Sequence, residues 1–283
     1  MATLAARVDA LAATPSGLPL PAEAGDVVRE LLDALELGAV RAAECDAAGR
    51  WHAVPWVKRG ILLGFRAGAM TDMSIPNGSG ARFSFIDKST YPPRTFQVAD
   101  GVRIVPGGST IRRGTYLAPS VVCMPPMFVN VGARIGAGTM VDSHALVGSC
   151  AQIGERVHLS AAAQIGGVLE PINASPVVIE DDVLVGGNCG VYEGTVVRAR
   201  AVLAAGVVLT RGTPVFDLVH QCVYRADASV PLEIPAGAVV VPGARAVTSE
   251  WGVEQGLSLQ APVIVKYRDG KTDVAAALEA WLR

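Results

Sequence analysis

Asp142 is the carboxylate best placed to do chemistry. It comes one residue after Val141, a member of a strict apolar repeat. Its side chain therefore stands at the edge of a repeat unit and faces outward. A carboxylate there can orient an ammonium group, and it can accept a proton if burial raises its pKa. A turn aspartate that only accepts backbone hydrogen bonds would occupy the same place, so position alone leaves both roles open. The chain has four histidines, His52, His144, His158 and His220. A catalytic zinc of the three-histidine kind needs all three imidazoles to converge. Only His144 and His158 fall in the regular repeat, so no metal is expected, and His158 reads as structural. Arg112 and Arg113 read as a solvated pair. The five cysteines, Cys45, Cys123, Cys150, Cys189 and Cys222, show no paired spacing. Cys123 and Cys189 read as inward positions, and the set as buried, reduced thiols.

The elements that must position these groups come from one pattern. From Val105 an apolar residue returns every sixth position, through Ile111, Leu117, Cys123 and Val129, without a break to Ile165. After an insertion at Pro171 to Pro176 it resumes at Ile179 and runs through Val185 and Val191 to Val215. A last piece returns at Ile234 and Val240. The residue four places after each is usually small or β-branched, as at Ser109, Thr115, Val121 and Ala133. A helix would need three-and-four spacing and a simple strand would alternate. A hexapeptide period instead predicts a parallel β-helix. Three hexapeptides close one triangular coil, with each apolar residue pointing into the prism. Coils then stack through backbone hydrogen bonds at about 4.8 Å. Each buried Val or Ile contributes about 1.5–3 kcal/mol.

Residues 1–100 read as a small α-rich domain. Helices are expected over 2–14, 26–37 and 56–65, with a hairpin between 40 and 54 around Asp46 to Gly49. Asn77 to Gly80 reads as a turn. The prism is expected over 101–250, with a second excursion at Leu218 to Glu233. Residues 251–283 form the expected cap, a strand at 257–268 and a helix from Asp273 to Leu282. Charged residues are 18% and aromatics 5%, which suits a narrow prism lined with small aliphatics. The net charge of −2 leaves no basic footprint for nucleic acid. No apolar run is long enough to cross a membrane, and the N-terminus lacks the pattern of a signal peptide, so a cytoplasmic protein is expected.

The fold alone does not decide function. The stretch Phe128 to Gly154 reads FVNVGARIGAGTMVDSHALVGSCAQIG, and VHLSAAAQIGGVLEPINASPVVIEDD runs from Val157 to Asp182. These segments, with RIVP at Arg103 to Pro106 and PVIVK ending at Lys266, closely resemble the tetrahydrodipicolinate N-succinyltransferases. The resemblance spans nearly the whole chain. It implies a mainly β protein, a left-handed parallel β-helix with an N-terminal α-rich domain and a C-terminal strand/helix cap. It also implies transfer of a succinyl group from succinyl-CoA to the amino group of ring-opened tetrahydrodipicolinate. The sites would lie between prisms of a homotrimer, in diaminopimelate and lysine synthesis.

On this resemblance Asp142 matches the family's essential Asp, and Arg103 matches its substrate-binding Arg, a fork suited to the acceptor's carboxylates. Many members carry a second active-site Glu where this chain has Gly190. Glu193, three residues on, is the nearest carboxylate and the expected substitute. His144 stands where a bulky aromatic is often seen. CoA is expected along the groove between prisms, with its pantetheine arm against small residues, among them Gly167 and Ala205, and its phosphates near Lys266. No metal or prosthetic group is implied. Acetyl transfer, acylation of a related amino acid, and a non-catalytic trimeric scaffold are the alternatives.

Overall fold

The computed structural model describes residues 2–76, 82–227 and 230–269. The expected turn at Asn77 to Gly80 and the expected helix at Asp273 to Leu282 lie outside them.

Three helices build the N-terminal part: α1 (Leu4–Ala12), α2 (Ala24–Glu36) and α3 (Pro55–Ala67). The Thr3 hydroxyl caps α1 by accepting the Ala6 N–H. Val27, Val28, Leu31, Leu32 and Leu35 form one buried stripe on α2. Gly38 ends it in the left-handed region at φ +72°. Proline enters α3 at its first turn, where no N–H is needed. Between α2 and α3 lie β1 (Ala43–Cys45) and β2 (Trp51–Ala53), paired antiparallel. Asp46 shapes their turn, its Oδ1 accepting the N–H groups of Ala48 and Arg50.

The six-residue period becomes three parallel sheets, the faces of a prism. The first face stacks Arg103–Ile104, Val122–Cys123, Met140–Val141, His158–Leu159, Leu184–Val185, Val202–Leu203 and Ala238–Val241. The second runs from Thr110–Ile111 to Val208–Leu209, and the third from Tyr116–Leu117 to Glu233–Ile234. The second residue of each short strand points inward and is buried, as at Ile135, Val147, Leu159 and Leu203. The third residue after such an inward residue usually turns the corner with positive φ, for example Gly132, His144, Ala162 and Asn188. A left-handed backbone there favours Gly and Asn.

Two register assignments change. Ile104, not Val105, pairs with Cys123 and starts the inward row. The first corner holds one extra residue, accommodated by Gly107 and Gly108 at φ 147° and 92°. Val215 leaves the third face, whose place is taken by Ile234 beside Val197. The strand Val215–Asp217 instead pairs with Cys222–Tyr224 and Val263–Tyr267, and Val215 and Ile264 bury their side chains against the end of the core. The strand expected over 257–268 is two strands, Ser258–Gln260 and Val263–Tyr267, separated at Ala261 and Pro262. Proline cannot donate to a ladder.

The cysteines also differ from expectation. Cys45 and Cys222 are exposed, and the buried Cys189 occupies a corner four residues after Val185. Burial pushes the thiols of Cys123 and Cys150 up to about 12. Arg112 and Arg113 are not a solvated pair. Arg112 pairs with Asp87 and stacks on Phe65 and Tyr91, and Arg113 pairs with Asp33 and Glu36. Together they tie the N-terminal part to the first coil.

Candidate active site

Asp142 directly follows the first-face strand Met140–Val141 and opens the corner between the first and second faces. Its Oδ1 accepts the Ser143 N–H at 2.7 Å. Its Oδ2 lies 3.9 Å from Nε2 of His158. The parallel register causes this meeting, because His158 stacks directly on Met140. Sequence reading left His158 as a structural histidine. The signal was available in the spacing of eighteen residues between Met140 and His158, one full coil. Arg103 lies in the same outward row, below Val122, which lies below Met140. Two strand spacings, about 10 Å, separate its backbone from that of Met140. The first face therefore presents a guanidinium, a carboxylate and an imidazole along one side.

Above Asp142 the same corner is stripped of bulk. Going up the stack, Ser160-Ala161-Ala162, then Gly186-Gly187, then Ala204-Ala205-Gly206 occupy it. The corner strands are held close by backbone bonds. Ala162 N–H donates to Ser143, Asn188 N–H to Ala161 and Gly206 N–H to Gly187. A Cβ on Gly186 would meet the Ala205 nitrogen at 2.6 Å, so this stack requires glycine there. Two spacings make a ridge of about 10 Å of near-bare backbone. Ala205 is its exposed upper end. Lys266 pairs with Val239 on the first face's last strand, so its side chain shares that outer surface. It is exposed, with Nζ 3.4 Å from Asp269.

Two other expected residues sit on a different edge. Gly167 and Glu193 both lie at the corner between the second and third faces, across the second face from Asp142. Gly167 packs on the backbone of Gly148 and Ser149. Glu193 has a left-handed backbone, φ 54°, and its Oε2 accepts the Arg211 N–H one coil up at 2.8 Å. Within one chain Glu193 and Asp142 are not brought together.

Gly190 has a clear physical neighbour. A Cβ on it would lie 2.4 Å from Cε2 of Tyr192, and one on Gly166 would lie 2.8 Å from that ring's Cδ1. The Tyr192 ring therefore lies against both glycines, over the outer surface of the second face. His144 turns the corner beside Asp142 at φ 62°, its N–H bonded to Pro126 and its carbonyl accepting from Gln164. No group of three or more metal-binding side chains occurs among the described residues.

The fold and the relatives it matches define a hexapeptide-repeat acyltransferase. The family profiles agree: residues 12–67 match the tetrahydrodipicolinate N-succinyltransferase N-terminal domain, and 176–211 the hexapeptide repeat of succinyl-transferase. A 2,3,4,5-tetrahydropyridine-2,6-dicarboxylate N-succinyltransferase from Polynucleobacter asymbioticus is 40% identical over 267 residues, 93% of this chain and 91% of its own. The protein of the same name from Nitrobacter hamburgensis is 41% identical over 268 residues, 92% and 90% of the two chains. Among solved structures, a hexapeptide-repeat-containing acetyltransferase from Vibrio cholerae is 24% identical, with a TM-score of 0.31, over 43% of this chain and 65% of its own. The chain belongs to the family of 2,3,4,5-tetrahydropyridine-2,6-dicarboxylate N-succinyltransferases.

Proposed function

We propose that the chain transfers the succinyl group of succinyl-CoA to the amino group of ring-opened tetrahydrodipicolinate, in the synthesis of diaminopimelate and lysine. It does so in the cytoplasm as a homotrimer of left-handed prisms, with each site between neighbours. The observation that supports this most directly is the match to the named succinyltransferases over 93% of the chain, with Asp142 standing at an open corner.

The chemistry follows from the amine. An alkyl ammonium with a pKa of about 10 is almost wholly protonated at neutral pH and carries no lone pair for attack. Asp142 holds this group by its charge and accepts its proton as the nitrogen approaches the thioester carbonyl. The N–C bond forms, the C–S bond breaks, and CoA leaves as a thiolate that takes up a proton. His158, 3.9 Å from Asp142 Oδ2, orients that carboxylate. Arg103 binds a carboxylate of the acceptor by a two-pronged contact. The pantetheine arm lies along the ridge from Ala161 to Ala205, and Lys266 stands at the end where the CoA phosphates would lie. Glu193 of the partner subunit is the second carboxylate, facing Asp142 across the subunit boundary. Gly167 then contacts CoA from that same neighbouring edge.

The test is thiol release with succinyl-CoA and acetyl-CoA on one acceptor panel. Preference for succinyl-CoA with tetrahydrodipicolinate supports the reading. A preference for acetyl-CoA, which the exchange at His144 could produce, assigns a different donor. Failure to bind any acyl-CoA by calorimetry refutes catalysis and leaves a scaffold.

A further inference from the structure

A concave site lies on the third face, beneath the β1–β2 hairpin. Its volume is about 320 Å³, within the small-molecule range. Arg41, Trp51, Arg134 and Gln152 line one part, and Glu155 and Asp181 another.

The two arginines are unusual. Arg41 donates through Nε to Gln152 Oε1 at 3.2 Å and stacks on Trp51 at 5.3 Å. Arg134 stacks on Tyr116 at 4.0 Å, and its buried Nη1 makes no hydrogen bond. Among the described residues neither guanidinium has a carboxylate within ion-pair distance, although arginines along the same edge of the prism do, Arg156 with Asp182 and Arg198 with Glu180 and Glu233. Burial first, and then the charge of Arg134, lower the pKa of Arg41. Glu44 and Asp181 oppose that shift from a distance, but a desolvated cation with no carboxylate in contact is costly, and two side by side more so.

The opposite wall is acidic. Glu180 is fully engaged by Trp51, Arg198 and the Ala199 N–H. Glu155 pairs with Arg156. Asp181 uses Oδ1 for the Glu155 N–H at 2.8 Å and lends the cleft its negative charge. A simple anion would be drawn to the arginines and repelled by Asp181. A molecule carrying both charges meets neither conflict.

We infer that this cleft binds a free α-amino acid, with its carboxylate between Arg41 and Arg134 and its ammonium group toward Asp181. The inference does not rest on the acyl-transfer reading, because Asp142 stands at the corner between the first and second faces. Such a ligand would bridge the N-terminal hairpin and the prism.

Isothermal calorimetry on the full chain with glycine, L-glutamate and L-lysine tests it, with acetate and methylamine as half-ligands. At least one amino acid is expected to bind, and both half-ligands at least about tenfold more weakly. Arg134→Gln and, separately, Arg41→Gln should each weaken that amino acid about tenfold or more. Asp181→Asn retains an oxygen for the Glu155 N–H, and should weaken the amino acid while leaving acetate unchanged. Binding should persist in Asp142→Asn. Absence of binding by all three amino acids overturns the inference. So does acetate binding as tightly, insensitivity in the variants that fold, or loss of binding in Asp142→Asn, which would put the ligand in the catalytic site.

Discussion

Asp142→Asn separates the charge of this side chain from its shape. The Ser143 N–H now donates to Oδ1 at 2.7 Å, and asparagine offers an oxygen in the same place. The corner should therefore still turn. The carboxylate is only partly buried, so the stability change should stay below about 1 kcal/mol. What disappears is the proton acceptor beside His158. At neutral pH about one amine in a thousand is unprotonated if its pKa is about 10. Loss of a positioned general base costs about 10²–10⁴ in rate. At 1.36 kcal/mol per decade that is about 3–5 kcal/mol of barrier. Thiol release from succinyl-CoA, measured as kcat/KM for the acceptor, should fall at least about a hundredfold. The melting temperature and the sedimentation coefficient should match those of the unmodified protein. A variant within a few-fold of full activity would refute the role given to Asp142. A variant that loses activity together with its fold would show the carboxylate to be a turn former.

Other consequences can be read in the same assays. Arg103→Ala should raise KM for the dicarboxylate acceptor by about tenfold or more and leave KM for succinyl-CoA within twofold or so; an effect confined to the CoA substrate would contradict its placement. Ala205→Trp, at an exposed corner, should fold normally but raise KM for succinyl-CoA alone, and an unchanged KM would remove CoA from the ridge. Gly190→Glu drives a side chain into the Tyr192 ring, so it should destabilise by about 1–3 kcal/mol. Adding Tyr192→Ala should recover much of that loss in thermal melts, and no recovery would mean that the ring is not the obstacle. The native fold favours the protonated thiols of Cys123 and Cys150, whose pKa rises from 9.0 to about 12. Their contribution is intact below pH 9 and is lost as pH rises from there toward about 12, by up to about 4 kcal/mol each. Urea midpoints measured between pH 8 and 11 should fall, and Cys150→Ala should flatten that slope; an unchanged slope would refute the cause.

The prism was legible because its signal is redundant. Each inward residue from Ile111 to Ile165 repeats the same environment, so chance at one position cannot hide the period. Register failed where redundancy ends. Nothing in RIVPGGST shows that Gly107 and Gly108 accommodate an extra residue, so Val105 was assigned the place of Ile104. Val215 kept the period by coincidence, since the backbone bonds that would seat it go to Ile234. For the site, Asp142 was legible as an outward corner residue. Its neighbour His158 read only as structural, because contact between coils depends on eighteen-residue spacing rather than nearness in sequence. Arg41 and Arg134 carry no local pattern at all. Only the docking of the hairpin on the third face brings them together.

That docking also explains why one edge of the prism is free for chemistry. Apart from the one extra residue at Gly107 and Gly108, the chain leaves the regular coils twice, after Ile165 and after Leu209, and both of these insertions occur at the corner between the second and third faces. The N-terminal helices pack against this same corner. Leu32 approaches Gly114, Ile61 approaches Gly132, and the buried Lys58 donates to the carbonyls of Pro171 and Ala174 in the first insertion at 3.1 and 2.8 Å. The β1–β2 hairpin extends the cover over the third face through Trp51 and Glu180. The first insertion, the helices and the hairpin are therefore anchored away from the corner that carries Asp142 and the Ala161 to Ala205 ridge. A loop of equal length inserted after Val141 or Val185 would stand over that ridge. Coil stacking permits an insertion at any corner, because only the strand residues bond between coils. Confinement of both insertions to one corner keeps the corner of Asp142 open along its upper coils, which the proposed seating of CoA against the ridge requires.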